Sequence, residues 1–278
     1  MKEILCIIPA RSGSKGIKDK NIKLFNGKPL ISYTIEQALQ CSYKMKIIVS
    51  TDSIKYKEIA LKYGAEVPFL RPISISQDNS KDIDFIKHSV NFLKKEYNYY
   101  PDIIVQLRIT QPLRKVEDIN CAVKFFIDNF EKYDSLRSVV EFEKSVFKMY
   151  TINYDNNNYK LLKPILKVYN DIYEPFNEGR QYLPKTYLHN GYIDIIKTSI
   201  LYNNTISGDK IYPYIMNKHE IIDIDNMDDW NKALLFSQST FFKFFSFKLF
   251  SWSRFILNCF LNFFNSFYHL NQTIWINR

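Results

Sequence analysis

Short apolar runs alternate with longer segments of helical periodicity along the first half of the chain, and this alternation restricts the possible folds more than any other feature. Residues Ile4–Ile8 are continuously apolar and end at Pro9, as is typical of a strand buried on both faces. Residues Leu30–Gln40 then carry apolar side chains at helical spacing. The same reasoning predicts strand Ile47–Ser50, helix Ser53–Tyr63, strand Glu66–Phe69, helix Asp82–Tyr97, strand Ile103–Leu107 and helix Val116–Phe130.

Strands that alternate with helices predict parallel pairing in an α/β domain of three layers, α/β/α and Rossmann-like. In such a sheet, ligands bind outside the carboxyl ends of the strands. We therefore expect the loop Ala10–Asn21, the dipeptide Thr51-Asp52 and the segment Arg108–Arg114 to meet at one rim of the sheet. This rim is the predicted position of the binding site.

The alternation stops between about Glu143 and Leu188. Residues Asp155–Asn158 are typical of a turn, and several prolines in this segment interrupt any long helix. A segment of this length without a regular pattern inside a compact domain is usually functional. The α/β pattern resumes at Gly191–Ile196 and again at Ile221–Asp225.

The charge of the chain is unevenly distributed. The net charge is +9, but only five of the 38 basic residues and none of the 29 acidic residues follow Asp229, so the preceding part has a net charge of +4. A mildly basic body suits an enzyme that handles triphosphates and carboxylates, and we expect no nucleic-acid partner. The 4 cysteines have no zinc-ligand or disulfide spacing. The apolar run near Met1 is too short for a signal peptide, so we expect a cytoplasmic body.

The loop that follows the first strand has the composition of a phosphate-binding loop. Gly13 and Gly16 permit backbone conformations that present N–H groups to an anion, and Arg11 and Lys15 supply charge. Further basic and polar residues extend this surface at Lys18, Lys20 and Asn21. The loop matches neither the P-loop pattern nor the dinucleotide-binding glycine pattern. Taken by itself, it is equally compatible with an ordinary solvated turn.

Two acidic residues near the end of the α/β pattern are candidates for a metal site. Asp223 and Asp225 are two positions apart at the end of a predicted strand, so their side chains point to the same face. Magnesium prefers carboxylates together with substrate phosphates and water. The alternative is that these residues form, with Asp228 and Asp229, a solvated acidic turn that caps the last helix.

Seven motifs follow one another between residues 4 and 234: Ile7–Gly16, Lys20–Ile22 with Asn26–Leu30, Val49–Asp52, Leu70–Pro72 with Asp78, Ile109–Arg114, Arg180-Gln181 with Asn190–Asp194, and Asp223–Asp225. In this order they resemble the motifs of the acylneuraminate cytidylyltransferases, the CMP–sialic acid synthetases. The resemblance implies a nucleotide-diphospho-sugar transferase-like fold. It also implies transfer of CMP from CTP to a nine-carbon acidic sugar, with release of pyrophosphate and with Mg²⁺ as cofactor, in surface glycan biosynthesis.

The resemblance also assigns roles to individual residues. The catalytic residues would be Arg11 and Lys20, which handle the triphosphate, and Asp225, the candidate base. The nucleotide-binding residues would be Arg11, Ser14, Lys15, Gly16, Lys20, Asn21, Arg71 and Asp78. The sugar-binding residues would be Arg108, Thr110, Lys148, Arg180, Gln181 and Asn190, and the metal ligands would be Asp223 and Asp225. The segment at about residues 143–190 corresponds to a dimerisation arm, which implies a homodimer.

The chain departs from the family pattern at two places on the sugar side. It has Leu188-His189 where relatives often carry Arg-Pro before Asn-Gly, and it has Arg108 where many carry Gln. The loss of one arginine and the gain of another leave the identity of the sugar open, with N-acetylneuraminate and legionaminic- or pseudaminic-type acids as candidates. Leu188 indicates that a legionaminic- or pseudaminic-type acid is accepted at least as well as N-acetylneuraminate.

Three other interpretations compete with this one. A nucleotidyltransferase acting on a sugar 1-phosphate usually has a Gly-Thr-Arg loop where this chain has Arg11–Gly16. A synthetase for an eight-carbon ulosonic acid carries a different run after the arginine. An inactive, membrane-tethered scaffold of the same fold would not need Arg11, Lys20, Asp223 and Asp225.

The C-terminal segment has a different composition from the rest, so we predict a cytidylyltransferase domain at 1–236 and a tail at 237–278. Eleven of the 22 phenylalanines lie between Phe241 and Phe267, and polar residues recur at helical spacing among them. Such a segment fits a helix at a membrane interface, here the inner face of the membrane. The alternatives are a helix packed on the body or on a second subunit, and a frameshifted gene end without selected function.

Overall fold

The computed structural model describes residues 2–217 and 221–237. The predicted tail at 237–278 therefore lies outside the described residues, except for its first residue. The chain divides into two units, Met1–Asp229 and Trp230–Arg278. In the second unit, residues 230–237 are helical. The predicted domain boundary at residue 236 and the membrane role of the tail stay predictions.

Strands and helices alternate in the first unit. The strands are β1 Ile4–Pro9, β2 Leu24–Phe25, β3 Lys28–Pro29, β4 Lys46–Ser50, β5 Ile103–Gln106, β6 Ser135–Phe142, β7 Tyr150–Tyr154, β8 Lys160–Pro164, β9 Val168–Tyr169, β10 Ile172–Tyr173, β11 Thr186–Lys197 and β12 Ile211–Met216. The α-helices are α1 Leu30–Leu39, α2 Ile54–Lys62, α3 Asp82–Tyr97 and α4 Val116–Asp128. The predicted helices, and the predicted strands of the first half apart from one, are confirmed to within two residues at each end.

The central sheet has six strands in the order β12-β6-β11-β5-β1-β4. Strand β1 pairs in parallel with β4 and with β5, so that Ile7 lies between Ile48 and Gln106. This arrangement brings the carboxyl ends of β4, β1 and β5 to one rim, as predicted. The fold is therefore the expected α/β architecture.

The expectation of parallel pairing throughout is wrong for one strand. Strand β11 runs antiparallel to both β5 and β6. The chain reaches β11 from the arm, on the side of the sheet where β6 ends, and it therefore crosses the sheet in the reverse direction. A register shift between His189 and Asp194 bends the strand next to the carboxyl end of β5.

Two predicted strands are not formed. Glu66 makes a single parallel bridge with Ile48, and Pro68, which has no N–H group, follows two residues later. Residues 221–225 are not a strand: the N–H of Ile224 donates to the carbonyl of Thr110 at 2.9 Å, and the chain then bends at Asp225.

The core lies between the sheet and the helices that cover it. Residues Leu5, Ile7, Ile48 and Ile104 are buried in the sheet and pack with Phe85, Ile86, Val90 and Leu93 of α3. This explains the continuous apolar run in β1, because both faces of a central strand are covered. Helix α3 begins with a capping box, in which Asp84 accepts a hydrogen bond of 3.0 Å from the N–H of Lys81.

The arm consists of two antiparallel hairpins. Strand β7 pairs with β8 and β9 pairs with β10. The turn predicted at Asp155–Asn158 is confirmed: the Asp155 carboxylate accepts hydrogen bonds from the N–H groups of Asn157 and Tyr159, at 3.0 and 2.8 Å. Every residue of β7 is exposed.

None of the described helices is long and apolar enough to cross a bilayer.

Candidate active site

The loop that follows β1 is held on the rim by its neighbour strand. Asp52, just after β4, accepts hydrogen bonds from the N–H of Ser12 at 2.7 Å and from its hydroxyl at 2.6 Å. Gly13 adopts a φ of +77°, a conformation that favours glycine. The loop and the end of β4 therefore meet as the sequence predicts.

Two cations of the loop converge on one carboxylate. The guanidinium of Arg11 donates to Asp78 at 2.7 Å, and the ammonium of Lys15 forms an ion pair with the other oxygen of Asp78. These bonds, first from Lys15 and then from Arg11, lower the pKa of Asp78. All three side chains are solvent-accessible, so both cations can be reached by an anion from solvent.

The end of the loop is fixed from inside the protein. Asn21 is buried, and its side-chain amide donates to the carbonyl of Arg11 at 2.9 Å. The bond closes the loop on itself and leaves the Asn21 side chain engaged with the backbone. Asp19, in the left-handed conformation, caps the short turn Lys20–Ile22. Ser14 is half-buried within the loop.

The loop also contacts the acidic motif. The ammonium of Lys20 donates to the carbonyl of Ile224 at 2.7 Å and lies 3.2 Å from the Asp225 carboxylate. Only 12% of the Lys20 side chain is exposed, against 74% for Asp225. Gly16 lies so close to Asp225 that a Cβ on Gly16 would be 2.3 Å from the Asp225 carbonyl oxygen. The loop Ala10–Asn21 and the acidic motif thus form one site.

The second acidic residue has an altered pKa. Desolvation by the surrounding protein raises the pKa of Asp223, and the negative charge of Asp225 raises it further. A hydrogen bond from Thr110 opposes this rise. Thr110 lies just after β5, on the same rim. Asp223 and Asp225 are therefore close enough to repel each other. The turn itself is formed, because Asp229 accepts hydrogen bonds from the N–H groups of Asp225 and Asn226, at 3.2 and 3.3 Å, so the metal role of the two acidic residues stays a prediction.

This pair of carboxylates fits a magnesium ion. The described residues contain no cluster of three or more acidic, histidine or cysteine side chains that could hold a metal by themselves. Magnesium does not need such a cluster, because substrate phosphates and water complete its coordination. A cation would also offset the two effects that raise the pKa of Asp223, desolvation first and then the charge of Asp225. The donor chemistry therefore suits magnesium when a triphosphate is bound.

Arg71 lies inside the rim. It is buried and donates from Nε to the hydroxyl of Ser50 at 3.0 Å and from Nη2 to the Ser50 carbonyl at 2.5 Å. Burial lowers its pKa to about 10, so the side chain remains charged at neutral pH. Its guanidinium also stacks on Phe85. These contacts fix Arg71 at the end of β4, next to the loop.

Arg108 lies at the end of β5 between two carboxylates. Its Nη2 is 2.8 Å from Asp82 and 3.5 Å from Asp194. Burial disfavours its charge, but Asp194 and Asp82 outweigh this effect and raise the pKa of Arg108. Asp223 contributes in the same direction, which places Arg108 near the acidic pair.

Asp194 is a buried carboxylate to which the sequence motifs assign no role of its own. Its side chain has no solvent exposure, lies 2.9 Å from Arg137, and bonds to His189 at 2.7 Å. Burial opposes its ionisation, but His189 and then Arg137 lower the pKa of Asp194. In the sequence, Asp194 is the last residue of the motif Asn190–Asp194 and an acidic residue at an inward position of an apolar strand, but neither feature assigned it a role.

Other polar residues of the rim have structural roles. Arg114 is buried and donates to Tyr192, Gln37 and the Arg108 carbonyl, at 2.7, 2.9 and 2.6 Å. The carboxamide oxygen of Asn190 accepts hydrogen bonds from Ser138 and from the N–H of Tyr192, at 2.6 and 3.1 Å. Asn190 therefore holds the bend in β11, and its predicted sugar contact stays a prediction.

The three remaining sugar-side candidates lie in the arm. The ammonium of Lys148 donates to the carbonyls of Phe176 and Glu178, at 3.1 and 2.6 Å. Arg180 and Gln181 form part of the exposed turn Arg180–Tyr182. Among the described residues, no hydrogen bond or ion pair joins these three side chains to Arg108 or Thr110. The structure therefore places the sugar-side candidates in two groups, one on the rim and one in the arm.

Comparison with protein families gives the class of the chain. The sequence profile of the family described as Cytidylyltransferase matches residues 5–178, which include the loop, Asp78, Arg71 and Arg108. The chain belongs to this cytidylyltransferase family.

The curated relatives of this chain are named for different acidic sugars. An N-acylneuraminate cytidylyltransferase of Escherichia coli is 34% identical over 85% of this chain and 52% of its own length. A pseudaminic acid cytidylyltransferase of Campylobacter jejuni is 38% identical over 56% of this chain and 66% of its own length. A CMP-N,N'-diacetyllegionaminic acid synthase of Legionella pneumophila is 35% identical over 82% of this chain and 93% of its own length. The chain thus spans about half the length of the first relative and two-thirds of the second.

Solved structures agree with the cytidylyltransferase fold. A CMP:2-keto-3-deoxy-manno-octonic acid synthetase complexed with CTP has a TM-score of 0.59 at 17% identity, over 85% of this chain and 99% of that one. A 4-diphosphocytidyl-2C-methyl-D-erythritol synthase from Anaerococcus prevotii has a TM-score of 0.51 at 13% identity, over 85% and 96%. At these identities the likeness supports the fold alone.

Proposed function

We propose that this chain transfers CMP from CTP to a nine-carbon acidic sugar and releases pyrophosphate. The observation that carries the proposal is the contact between Lys20 and Asp225. It joins the loop Ala10–Asn21, which has the composition of a phosphate-binding loop, to a pair of carboxylates in one site. Relatives named for N-acylneuraminate, pseudaminic acid and diacetyllegionaminic acid support the substrate class. The product would serve the synthesis of a surface glycan such as a capsule or lipopolysaccharide.

In the proposed reaction, a hydroxyl of the sugar attacks the α-phosphorus of CTP, and pyrophosphate leaves. Negative charge accumulates on the phosphate oxygens, so the main tasks are positioning and electrostatic stabilisation. Arg11 and Lys15 would exchange Asp78 for the triphosphate, and Lys20 would stabilise the charge that develops. Asp225 would accept the proton of the attacking hydroxyl, because it is exposed and next to Lys20.

Magnesium, held by Asp223 and Asp225, would supply positive charge to the phosphates when it is bound. The buried Arg71 and Asn21 would shape the nucleotide pocket from inside. Arg108 and Thr110 would contact the sugar from the rim, and Lys148, Arg180 and Gln181 would do so from the arm. This division explains why the two groups have no direct contact within the described part of the chain.

The arm supports the proposal of a homodimer. Its hairpins expose large apolar side chains: Ile152 at 64%, Leu162 at 67% and Tyr173 at 78%. Exposed apolar surface of this kind marks an interaction site. A second copy of the chain would cover it and would bring two arms together, and the enzyme would work in the cytoplasm.

The direct test is to incubate the purified chain with CTP, Mg²⁺ and each candidate acid, and to identify the product by mass spectrometry. The proposal predicts a CMP–sugar from at least one nine-carbon acid. A product from a hexose 1-phosphate at an equal rate would contradict it.

A further inference from the structure

Arg108 is held from three sides. Its Nη2 donates to Asp82 at 2.8 Å and lies 3.5 Å from the buried Asp194. On a third side, Nη1 lies where a Cβ of Gly191 would come within 2.5 Å of it. Only a glycine at 191 leaves room for the guanidinium in this place.

The carboxylates themselves are held by further bonds. Asp82 also accepts a hydrogen bond of 2.9 Å from the buried Gln106, at the end of β5. Asp194 is fixed by His189 and Arg137. Asp82 belongs to the first turn of α3 and Asp194 to β11, so two separate elements hold one guanidinium.

These contacts leave part of the guanidinium available. Within the described residues, the side chain of Arg108 makes its hydrogen bond through Nη2 and none through Nε or Nη1. The side chain is 28% exposed on the rim that also carries the acidic pair. Its available donors can therefore meet an oxygen of a bound substrate without any change of its position.

We propose that Asp82 and Asp194 are positioning residues, which hold Arg108 so that its available donors reach an oxygen of the acidic sugar. This inference rests on the proposed function, because it needs the sugar to bind at this rim. Arg108 makes the substrate contact, and the two carboxylates act through it. Asp82 and Asp194 fix the orientation of the Arg108 guanidinium and do not act by adjusting the charge of the site.

The two roles predict opposite effects of substitutions at Asp82. Asp82→Asn removes the charge but keeps an oxygen that accepts from Nη2, whereas Asp82→Ala removes both. If orientation matters, Asp82→Ala raises the KM of the sugar about tenfold, as expected for the loss of one hydrogen bond to a charged group, and Asp82→Asn raises it less than about threefold. If charge matters, both variants remove a negative charge that would repel the acidic sugar, and both lower the KM of the sugar.

The experiment measures kcat and KM for the sugar and for CTP on the full chain. The variants are Asp82→Ala, Asp82→Asn, Arg108→Gln and the double variant Asp82→Ala/Arg108→Gln. Asp128→Asn, in an exposed ion pair with Lys124 on α4, is the matched control and should behave as the wild type. Thermal unfolding of each variant shows that it is folded at the assay temperature.

In this double-mutant cycle, we expect the KM of the sugar for the double variant to be no more than about twofold above that of Arg108→Gln alone, because the two residues act as a unit. The KM of CTP should change less than about twofold. Additive effects at 82 and 108, equal effects of Asn and Ala, or a parallel rise in the KM of CTP would overturn the inference.

A failure of the proposed function gives a different result. In that case the wild type releases no pyrophosphate with any acid, and the inference fails with it. An active wild type together with unchanged Asp82 variants contradicts the positioning role alone.

Discussion

Gly16 packs against the backbone of Asp225, so that a Cβ on Gly16 would lie 2.3 Å from the Asp225 carbonyl oxygen. Two segments more than two hundred residues apart in sequence are thus in contact, and the contact leaves no space for a side chain. The φ of Gly16 is not in the left-handed region, so steric contact is the reason for a glycine here. The distance between the cationic loop and the acidic pair depends on this contact.

We predict that Gly16→Ala lowers kcat/KM for CTP at least about tenfold, because the loop and Asp225 must move apart and the reacting groups lose their alignment. Gly27→Ala is the control. Gly27 has a φ of +81° and nothing within 4 Å of a Cβ, so this variant should lose about 1–2 kcal/mol of stability but keep its activity. Equal loss of activity in both variants would show that the Gly16 contact has no special role.

Asp225 is the candidate base, and its side chain is exposed. We predict that Asp225→Asn lowers kcat by at least about a hundredfold without unfolding the chain. Asp228→Asn, three residues later and also exposed, should retain normal turnover. A rate close to that of the wild type for Asp225→Asn at saturating Mg²⁺ would mean that the acidic motif is a solvated turn without a catalytic role.

Asp194 should stabilise the fold in a pH-dependent way. His189 and Arg137 hold its pKa below the ordinary value despite burial, so its contribution is present above about pH 4 and is lost as the pH falls through the lowered pKa. Asp194→Asn leaves Arg137 buried beside a neutral amide, which should cost about 3 kcal/mol at neutral pH. Urea unfolding at about pH 7 and about pH 3.5 should show a difference from the wild type that narrows in acid.

The control for this measurement is Asp128→Asn, since an exposed ion pair contributes little to stability. A difference between Asp194→Asn and the wild type that stays constant from neutral to acid pH would mean that the Asp194 charge does not contribute.

Leu188 should influence the choice of sugar. It is 52% exposed on β11, close to the bend that contains Asn190. An aliphatic side chain packs against a deoxy or methyl-bearing sugar end but cannot donate a hydrogen bond. We predict that a legionaminic- or pseudaminic-type acid is accepted at least as well as N-acetylneuraminate, and that Leu188→Arg shifts the ratio of kcat/KM values toward N-acetylneuraminate about tenfold. A strong preference of the wild type for N-acetylneuraminate would contradict this role.

The first half of the fold could be predicted because its strands are apolar on both faces and its helices have clear periodicity. Strand β6 was missed because Arg137 and Ser138 interrupt its pattern, and both residues have partners on β11. The reversed direction of β11 was also missed, since local periodicity contains no information on strand direction.

The candidate site, like the fold, could be predicted only where local sequence patterns mark it. The loop, Asp78 and the acidic pair were identified by motif, and the structure brings them together. The contacts of Asp82 and Asp194 with Arg108 were not predicted, because these two residues are distant in sequence and each looks like an ordinary polar residue. Contacts of this kind depend on the tertiary fold and not on local spacing.

Pyrophosphate release by the purified chain, measured with each of the four nucleoside triphosphates, Mg²⁺ and a panel of ulosonic acids, is the direct test of CMP transfer. We expect release with CTP and at least one nine-carbon acid, and little release with ATP or GTP. Release that does not depend on CTP, or that occurs equally with a hexose 1-phosphate in place of the acid, would contradict it.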